Sequence, residues 1–582
     1  MRITSTFRVV SGLLLAAALV FAQETPPSDK PPAEKPPTGQ IGGLRFLDVS
    51  EVTVVNVEVT VTDKKGPVLD LKPSDFEVFQ DGRVQELTNF AVFNRATAAA
   101  PTPAAAPTPA ATPGPTSVPA APTPEPTPAA RRESRFVAFY VDNEYVLPMN
   151  RNRVINKVAD WVYTYLKPPD QAMVVSYQRS LKVLQPFTSE PDAVAAALRA
   201  MKRYTGGATD AVNSRRDVEQ YIEQNSSNAS TVLQATDRAR SFASEQYNNL
   251  TFAISAIKEL VGMMSGLPGK KAIIYVSDGL PMTPGLELFY EIQDSYSNTS
   301  VLSEARDNDA TGLFRGLVNT ATASGVTIYT IDSAGLQSDS GIEAERTQPR
   351  SPISASIMSS NYQDSLSFMA EQTGGLAILN ANDPTSGLEK IASDFETFYS
   401  LGYRLIPSGQ DRMHHIQVKV KGHPEYRLAY RKTFIEKTLP TRIGDRVVSG
   451  LTFDLEDNPL GIELATGVAA PADEERWTLP IEVRIPFEKV ALIPEGDSLI
   501  GYLMVYYAAR DDEGKQSDLQ RTEHPIRIPA AQYEKVRKQF FTVSSNLLLE
   551  PGTYRISVGV RDELTNQAGF AVARQAVHPE RR

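Results

Sequence analysis

Three carboxylates stand just after two short apolar runs, where they could bind a cation or cap a turn. Asp142 and Glu144 follow the run at residues 136–141, and Asp278 follows the run at residues 272–276. Carboxylate oxygens are ligands that hard divalent cations prefer, and a metal held by these groups could activate water for hydrolysis. An Asp just past a strand also commonly caps a turn or a helix. Both chemistries are open at this point.

The residues that other catalytic sites need are missing or lie elsewhere. The chain has no cysteine, which excludes disulfides, thiolate nucleophiles and cysteine-ligated zinc. All five histidines lie beyond residue 402: His414, His415, His423, His524 and His578. A Ser-His-Asp triad formed wholly within residues 131–402 is therefore impossible. No P-loop, HExxH or GxSxG motif occurs, so we predict that the chain is not an enzyme.

The carboxylates belong to a region in which apolar runs alternate with helical spacing. Strands are predicted at residues 136–141, 173–177, 272–276, 326–331 and 376–379, and helices at 154–166, 193–201, 366–372 and 386–401. Buried strands that alternate with helices are typical of a parallel sheet covered on both faces. We therefore predict a doubly wound, mostly parallel α/β domain over residues 131–402. Two insertions decorate it: a polar, helix-competent stretch at 213–249 and a Ser-rich stretch at 336–361, interpreted as a surface loop.

Alternating apolar residues on both sides of this domain indicate β-sheet. The block 45–95 carries about four strands, with Asp81-Gly82 as a hairpin turn. The block 403–434 carries three short runs, and seven strands suffice for one sandwich. We predict that the two blocks pack together and that the α/β domain is inserted between them. Residues 435–476 are interpreted as a connector, and residues 477–582 as a second, all-β sandwich.

The first 22 residues have the layout of a secretory signal. Arg2 and Arg8 give a positive segment before an apolar run that begins at Val9, and Ala22 ends a plausible cleavage site. The run is about a dozen residues, whereas a membrane-spanning helix needs about 20. We therefore expect no stable membrane insertion after signal cleavage. An exported chain without cysteine fits a periplasmic or extracellular location in a bacterium.

Two Pro-rich segments are predicted to connect the folded parts. Residues 23–44 are rich in proline and charge, and residues 96–130 are almost entirely Ala, Pro and Thr. Such compositions favour extended chain over helix. We interpret the first as a tether and the second as a slack linker. The net charge of −10 leaves no electrostatic footprint for nucleic acid.

Five segments, in order along the chain, resemble the bacterial secreted VWFA-related domain proteins, which contain a von Willebrand factor A-like (VWA) domain. They are residues 57–63 (VEVTVTD), 75–82 (DFEVFQDG), 328–335 (IYTIDSAG), 370–375 (AEQTGG) and 398–403 (FYSLGY). The resemblance covers residues 45–435. It implies a VWA fold whose ligand surface lies at the carboxyl ends of the strands.

The resemblance also implies a metal-ion-dependent adhesion site. The family pattern is Asp-x-Ser-x-Ser, then a loop threonine, then a final Asp. Asp142 takes the first position, Thr209 is the nearest match to the threonine, and Asp278 fits the final Asp. Glu144 and Val146 replace both serines, so two hydroxyl ligands are lost. Asp142, Glu144, Thr209 and Asp278 would form a degenerate site for Mg²⁺ or another divalent cation.

These observations predict an exported, non-enzymatic adhesion or assembly module. Open α/β sheets bind ligands at the carboxyl ends of their strands, so we expect a protein partner there, of unknown identity. The alternative is a carboxylate-based, metal-dependent hydrolase.

Overall fold

The computed structural model describes residues 53–94, 134–336, 352–454, 457–473 and 475–577. The predicted signal (1–22), tether (23–44) and linker (96–130) lie outside these residues. The described chain is a mixed α/β protein with several separate sheets. Among the helices of the described ranges, none has both the length and the apolar character to span a bilayer.

The segment before the linker contains five strands. They are β1 (Thr53–Asp63), β2 (Gly66–Pro67), β3 (Phe76–Gln80), β4 (Arg83–Gln85) and β5 (Leu87–Asn94). Asp81 and Gly82 join β3 to β4 with φ of 49° and 78°. Glycine and aspartate tolerate this left-handed conformation, so the predicted hairpin turn is confirmed.

Six strands form a central sheet. They are β6 (Arg135–Asp142), β7 (Gln171–Gln178), β8 (Ser180–Thr188), β9 (Lys270–Ser277), β10 (Val326–Asp332) and β11 (Ala377–Ile378). The strand order is β11-β10-β9-β6-β7-β8. Every neighbouring pair is parallel except β7 and β8, which are antiparallel. The carboxyl ends of β10, β9 and β6 therefore lie side by side.

Nine helices accompany this sheet within the described residues. They are α1 (Pro148–Tyr165), α2 (Pro191–Ala200), α3 (Ala208–Asn225), α4 (Val232–Ser265), α5 (Leu286–Tyr296), α6 (Leu302–Ala305), α7 (Thr311–Ala323), α8 (Pro352–Thr373) and α9 (Thr385–Glu396). Alternate residues of β6 enter different cores. Ala138 and Tyr140 pack with residues of α4, α7 and α8, whereas Val137 and Phe139 pack with residues of α1, α2 and α9. Both faces of the sheet are thus covered by helices.

Two predicted elements of this region are wrong. The last helix was expected to span 386–401, but it ends at Glu396, and Thr397–Leu405 form strand β12. The stretch 336–361 was interpreted as a loop, but α8 begins at Pro352; residues 337–351 lie outside the described residues. The polar stretch at 213–249 lies in α3 and α4 except for residues 226–231 between them, so most of it is helical, as its composition predicted.

Strand β12 closes a sandwich with the first block. It is followed by β13 (Arg412–Val420), β14 (Arg427–Ala429) and β15 (Thr433–Glu436). One sheet has the order β14-β1-β12-β5, with β2 on β1, and the other has the order β15-β13-β3-β4. Val57 and Val59 of β1 share a core with Tyr399 and Leu401 of β12 and with Val418 of β13. The blocks before and after the α/β region therefore build one core.

The remaining chain forms a second sandwich and two helices. Its elements are α10 (Leu439–Gly450), β16 (Glu463–Thr466), β17 (Ala470–Pro471), β18 (Trp477–Pro486), β19 (Ile493–Glu495), β20 (Ser498–Asp511), β21 (Gln520–Pro529), α11 (Tyr533–Val536), β22 (Phe540–Leu549), β23 (Gly552–Asp562) and β24 (Ala568–Val577). Strands β16, β17 and β22 pair with β18, while β19, β20, β21, β23 and β24 form the other sheet. The two sheets enclose one core.

The segment 435–476 is more than the connector that its sequence suggested. Ile443 and Val447 of α10 are buried against Tyr506 and Phe570 of the second sandwich, and β16 and β17 are strands of that sandwich. The connector interpretation was incomplete because the apolar residues of this segment acquire their partners only in the tertiary structure.

Candidate functional site

The strand ends of the central sheet form a continuous edge. Residues just beyond neighbouring strands are joined by backbone hydrogen bonds: Asn143 N donates to Tyr177 O at 2.8 Å, and Ser333 N donates to Ser277 O at 2.8 Å. Asp278 N donates to Tyr145 O at 2.9 Å. The loops after β6, β7, β9 and β10 are therefore tied to one another.

Asp142 is fully buried at the end of β6, and its carboxylate is engaged within the protein. Oδ1 accepts hydrogen bonds from the backbone N–H groups of Glu144 and Tyr145, each at 3.1 Å. Oδ2 accepts from the hydroxyl of Tyr275 on the adjacent strand. Burial raises the pKa of Asp142 to about 7, although these hydrogen bonds oppose the shift. This carboxylate organises the turn after β6.

Asp278 lies one residue past β9 and faces the start of α1. Its Oδ2 accepts from Leu147 N at 2.8 Å and from Asn150 Nδ2 at 3.0 Å. Its Oδ1 is buried and has no hydrogen-bond partner in the described part of the chain. Burial raises the pKa of Asp278 to about 6, and the nearby carboxylate of Asp332 adds to the shift.

Glu144 lies in the loop after β6, and Thr209 lies at the start of α3. Glu144 is half-buried, and burial raises its pKa; its Oε2 has no partner among the described residues. A Cβ on Gly207 would lie 2.6 Å from the Glu144 carboxylate, so a larger residue at position 207 would clash with Glu144. Thr209 is exposed on the first turn of α3.

The four predicted ligands do not fit a shared cation site. Both Asp142 oxygens are engaged by protein donors, and the buried Val146 supplies no side-chain oxygen. Asp142 bonds to Tyr275, in the core on one face of the sheet, whereas Asp278 bonds to the start of α1 on the other face. Across the described ranges, no three His, Cys, Asp or Glu side chains are grouped so as to hold a metal. The structure therefore gives no support to Mg²⁺ binding.

Arg151 is a central residue of this edge that sequence reasoning missed. It is fully buried in α1. Its Nη1 donates to Asn143 Oδ1 at 2.8 Å, and its Nη2 donates to Tyr204 O at 2.9 Å. It shares a helical face with Val154 and Ile155, which are also buried. The sequence did contain a signal for this residue: Arg151 is a charged residue on the face of α1 that is otherwise apolar.

A second arginine braces the other side of the same helix. Arg153 Nη2 donates to Ser333 O at 2.6 Å and to Ala334 O at 3.1 Å. Leu336 N donates to Asn382 Oδ1 at 3.0 Å in the next loop. The first turns of α1 thus hold the loop at 204–207 with Arg151 and the loop after β10 with Arg153.

Large apolar side chains are exposed on these braced segments. The exposed fraction is 75% for Met149, 63% for Leu336 and 41% for Tyr204. Met149 lies on the first turn of α1, the helix that also carries Arg151 and Arg153. We call Met149, Tyr204 and Leu336 the strand-end surface.

The four described histidines lie on elements other than those of this surface. His414 is buried in the first sandwich, where Nδ1 lies 2.7 Å from Asp81 Oδ2 and Nε2 lies 3.3 Å from Glu436 Oε2. His415 is exposed. His578 lies outside the described residues.

Comparison with known proteins gives limited information. No family profile matches the sequence, and no curated protein matches it. Among solved structures, an aerotolerance-related membrane protein from Bacteroides fragilis, with multiple mutations to serines, is 12% identical. The alignment covers 44% of this chain and 97% of that chain, with a TM-score of 0.22.

Two further likenesses are of the same kind. The conserved hypothetical protein BatB from Bacteroides thetaiotaomicron is 11% identical over 45% of this chain and 96% of that chain, with a TM-score of 0.22. Proximal thread matrix protein 1 from the mussel byssus, with a zinc-occupied MIDAS motif, is 14% identical over 47% of this chain and 48% of that chain, with a TM-score of 0.22. Values this low say nothing about what the present chain binds.

Proposed function

We propose that this chain is an exported, non-enzymatic binding protein whose α/β region is a doubly wound domain of the VWA type. In this proposal the strand-end surface holds a protein partner in the periplasm or outside the cell. The observation that carries the proposal is the exposure of Met149, Tyr204 and Leu336 on segments that two arginines hold in place.

Rigidity is the first argument for a recognition role. A surface that is already ordered loses less conformational entropy when a partner binds. Arg151 and Arg153 fix the loops on either side of α1 through backbone carbonyl acceptors. The apolar side chains next to them therefore stand in a preset arrangement, which favours specific binding.

The chemistry of the surface indicates the kind of partner. Exposed Met is common at binding surfaces because its flexible thioether adapts to different shapes. The exposed groups of this surface are apolar or aromatic, with Met149, Tyr204 and Leu336 all accessible. We infer a partner segment that presents apolar side chains.

Site-specific photo-cross-linking tests this function. A photoreactive amino acid would be placed in turn at Met149, Tyr204 and Leu336 of the full chain in the native cell envelope. We expect the same cross-linked partner from all three positions, identified by mass spectrometry. Phe252 of α4, 66% exposed, is the matched control, because it is a comparably accessible apolar residue on a helix that carries none of the three test positions.

A second change makes the test specific. Met149→Glu should remove the cross-link formed from position 336 without altering the thermal unfolding of the protein. Identical adducts from positions 149 and 252, or a cross-link at 336 that survives Met149→Glu, would contradict the proposal.

The hydrolase alternative rests on the partnerless oxygens of Glu144 and Asp278. It requires that Mg²⁺ raises the melting temperature and that phosphoester or peptide turnover depends on Asp278. We expect no Mg²⁺-dependent shift, because the described ligands do not converge. Turnover that Asp278→Ala abolishes would favour the hydrolase.

A further inference from the structure

Strand β22 leaves one long edge of the second sandwich unpaired. It pairs with β18 along its whole length, from Trp477 opposite Leu549 to Pro486 opposite Phe540, with no bulge. In the part of the chain that the structure describes, no other strand pairs with β22. Its outward backbone N–H and C=O groups form a template for another strand.

This edge lacks the features by which proteins usually prevent strand addition. The sequence of β22, FFTVSSNLLL, contains no charge, no proline and no glycine, whereas charges, prolines and bulges protect most edges. By contrast, the edge strand β21 carries Arg521, Glu523 and Pro525. Strand β5 is also uncharged, but a bulge interrupts its pairing with β12. Strand β22 is therefore the most open template among these strands.

We propose that β22 pairs with β22 of a second copy of this chain, antiparallel about a two-fold axis at Ser544. Residues directly opposite one another in an antiparallel pair lie on the same face of the sheet. This register places Phe540 opposite Leu548 of the second copy, and the symmetry repeats the contact. These two side chains are 43% and 45% exposed in the single chain, so each covers the other in the pair.

Charges beyond the strand favour the same register and the same partner. Lys538 lies two residues before β22 and Glu550 lies one residue after it, and both are exposed. The axis at Ser544 brings Lys538 of each copy towards Glu550 of the other, at both ends of the joint. Glu550 also lies 3.5 Å from Lys515 of its own chain.

The register centred on Ser545 is less favourable. An axis at Ser545 places Phe540 opposite Glu550, an apolar ring against a carboxylate. It also moves Leu548 away from Phe540. A second copy centred on Ser544 thus places Phe540 opposite Leu548, Thr542 opposite Asn546 and Lys538 opposite Glu550, all of them exposed in the single chain.

Cysteine scanning tests the axis directly, because the natural chain has no cysteine. Opposite Cα atoms in an antiparallel pair are about 4.5–5.5 Å apart, which falls within the range that a disulfide spans. Ser544→Cys should therefore form a disulfide-linked dimer when the full secreted chain is oxidised. Thr542→Cys is the matched control, because its two copies would stand four residues apart along the strand, about 14 Å.

The readout is a non-reducing gel with mass spectrometry of the linked peptide. We expect dimer from Ser544→Cys and monomer from Thr542→Cys. Equal cross-linking of both variants, or of neither, overturns the proposal. This result is independent of the partner at the strand-end surface.

Sedimentation velocity gives the second test. The unmodified chain should show a concentration-dependent dimer. Ser544→Lys places two like charges across the axis and should weaken the dimer about tenfold or more. Ala91→Lys in β5 is the control and should leave the dimer intact. A monomer at every concentration, or a dimer lost in Ala91→Lys and kept in Ser544→Lys, overturns the proposal; the latter assigns association to β5.

Discussion

The two aspartates at the strand ends accept hydrogen bonds from backbone N–H groups of the loop between β6 and α1. Asp142 accepts from the N–H groups of Glu144 and Tyr145, and Asp278 accepts from that of Leu147. The loop between β6 and α1 is therefore held from both ends by carboxylates. Of the two chemistries open in the sequence, turn capping is the one that the geometry supports. The binding proposal accordingly rests on the exposed apolar residues and not on a metal.

The raised pKa of Asp278 predicts a pH dependence of stability. Its folded-state pKa is about 6, whereas an unfolded Asp titrates near 4. The folded state therefore binds this proton more tightly, and the resulting stability is lost as the pH rises from about 4 through about 6. Asp278→Asn cannot ionise, so it should be more stable than the natural chain at pH 8, by about 1–2 kcal/mol.

Urea denaturation at pH 5 and pH 8 measures this effect. Asp383→Asn is a control of opposite sign, because Thr385 and Lys157 lower the pKa of the exposed Asp383 to about 2. The stability from Asp383 is present above about pH 4 and is lost as the pH falls towards 2. Asp383→Asn should therefore be no more stable than the natural chain at pH 8. A gain at pH 8 from both variants would contradict the assignment to Asp278.

Arg151 should contribute strongly to stability. Arg151→Ala removes donors from the buried Asn143 side chain and from Tyr204 O, and an unsatisfied buried acceptor costs about 1–3 kcal/mol. We expect a loss of about 3 kcal/mol in the free energy of unfolding for two such groups. Arg153→Ala, at an exposed position of the same helix, should cost less than about 1 kcal/mol. Equal losses of unfolding free energy in the two variants would contradict a special contribution from the buried Arg151 contacts.

At the scale of elements, α4 joins the α/β region to the second sandwich. Gly266 follows α4 directly, and its N–H donates to Ser449 Oγ of α10 at 2.8 Å. Nearby, Arg510 Nη2 of β20 lies 3.0 Å from Glu259 Oε1 of α4. The close approach of α4 and α10 at Gly266 makes glycine necessary there.

Gly266→Ala should disrupt this contact. A Cβ would lie 2.5 Å from Arg446 Cα and 2.6 Å from Asp445 O, both backbone atoms that cannot simply rotate away. We expect a loss of about 2–3 kcal/mol in the free energy of unfolding, in the range of overpacked sites. Gly262→Ala, one turn earlier with no atom within 4 Å of the new Cβ, should raise stability by about 0.5–1 kcal/mol. Thermal unfolding of the two variants measures the difference, and a tolerated Gly266→Ala would refute the tight contact.

At the scale of the whole molecule, the first sandwich closes around a long insertion. Strand β12 lies between β1 and β5, which precede it by roughly 300 residues and more in the chain. Neither block contains the complete core, since Val57 and Leu401 belong to the same cluster. The α/β region is therefore flanked by two halves of one domain.

A split chain tests this closure. Residues 43–95 and 131–582, expressed as separate fragments, should copurify, because β1 and β5 both hydrogen-bond to β12. Leu401→Asp, at a fully buried position of β12, should abolish copurification, whereas Arg404→Asp, exposed on the same strand, should not. Fragments that each remain soluble and do not associate would refute the shared core.

Local patterns in the sequence determined much of this protein. The alternation of Val57, Val59 and Val61 predicted a strand, and Asp81-Gly82 predicted a turn, because backbone preference and side-chain period are local properties. The alternating strands and helices of residues 131–402 likewise predicted a mixed α/β region. The positions of Asp142 and Asp278 directly after two predicted strands were also read from these local patterns.

The tertiary structure decided what those local patterns left open. Residues 397–401 became strand because Tyr399 and Leu401 are buried against β1, more than 300 residues earlier in the chain. The second carboxylate oxygen of Asp142 is engaged within the protein because the hydroxyl of Tyr275, 133 residues away, donates to it. A contact between distant residues depends on how all the intervening elements pack, and no local period encodes that packing.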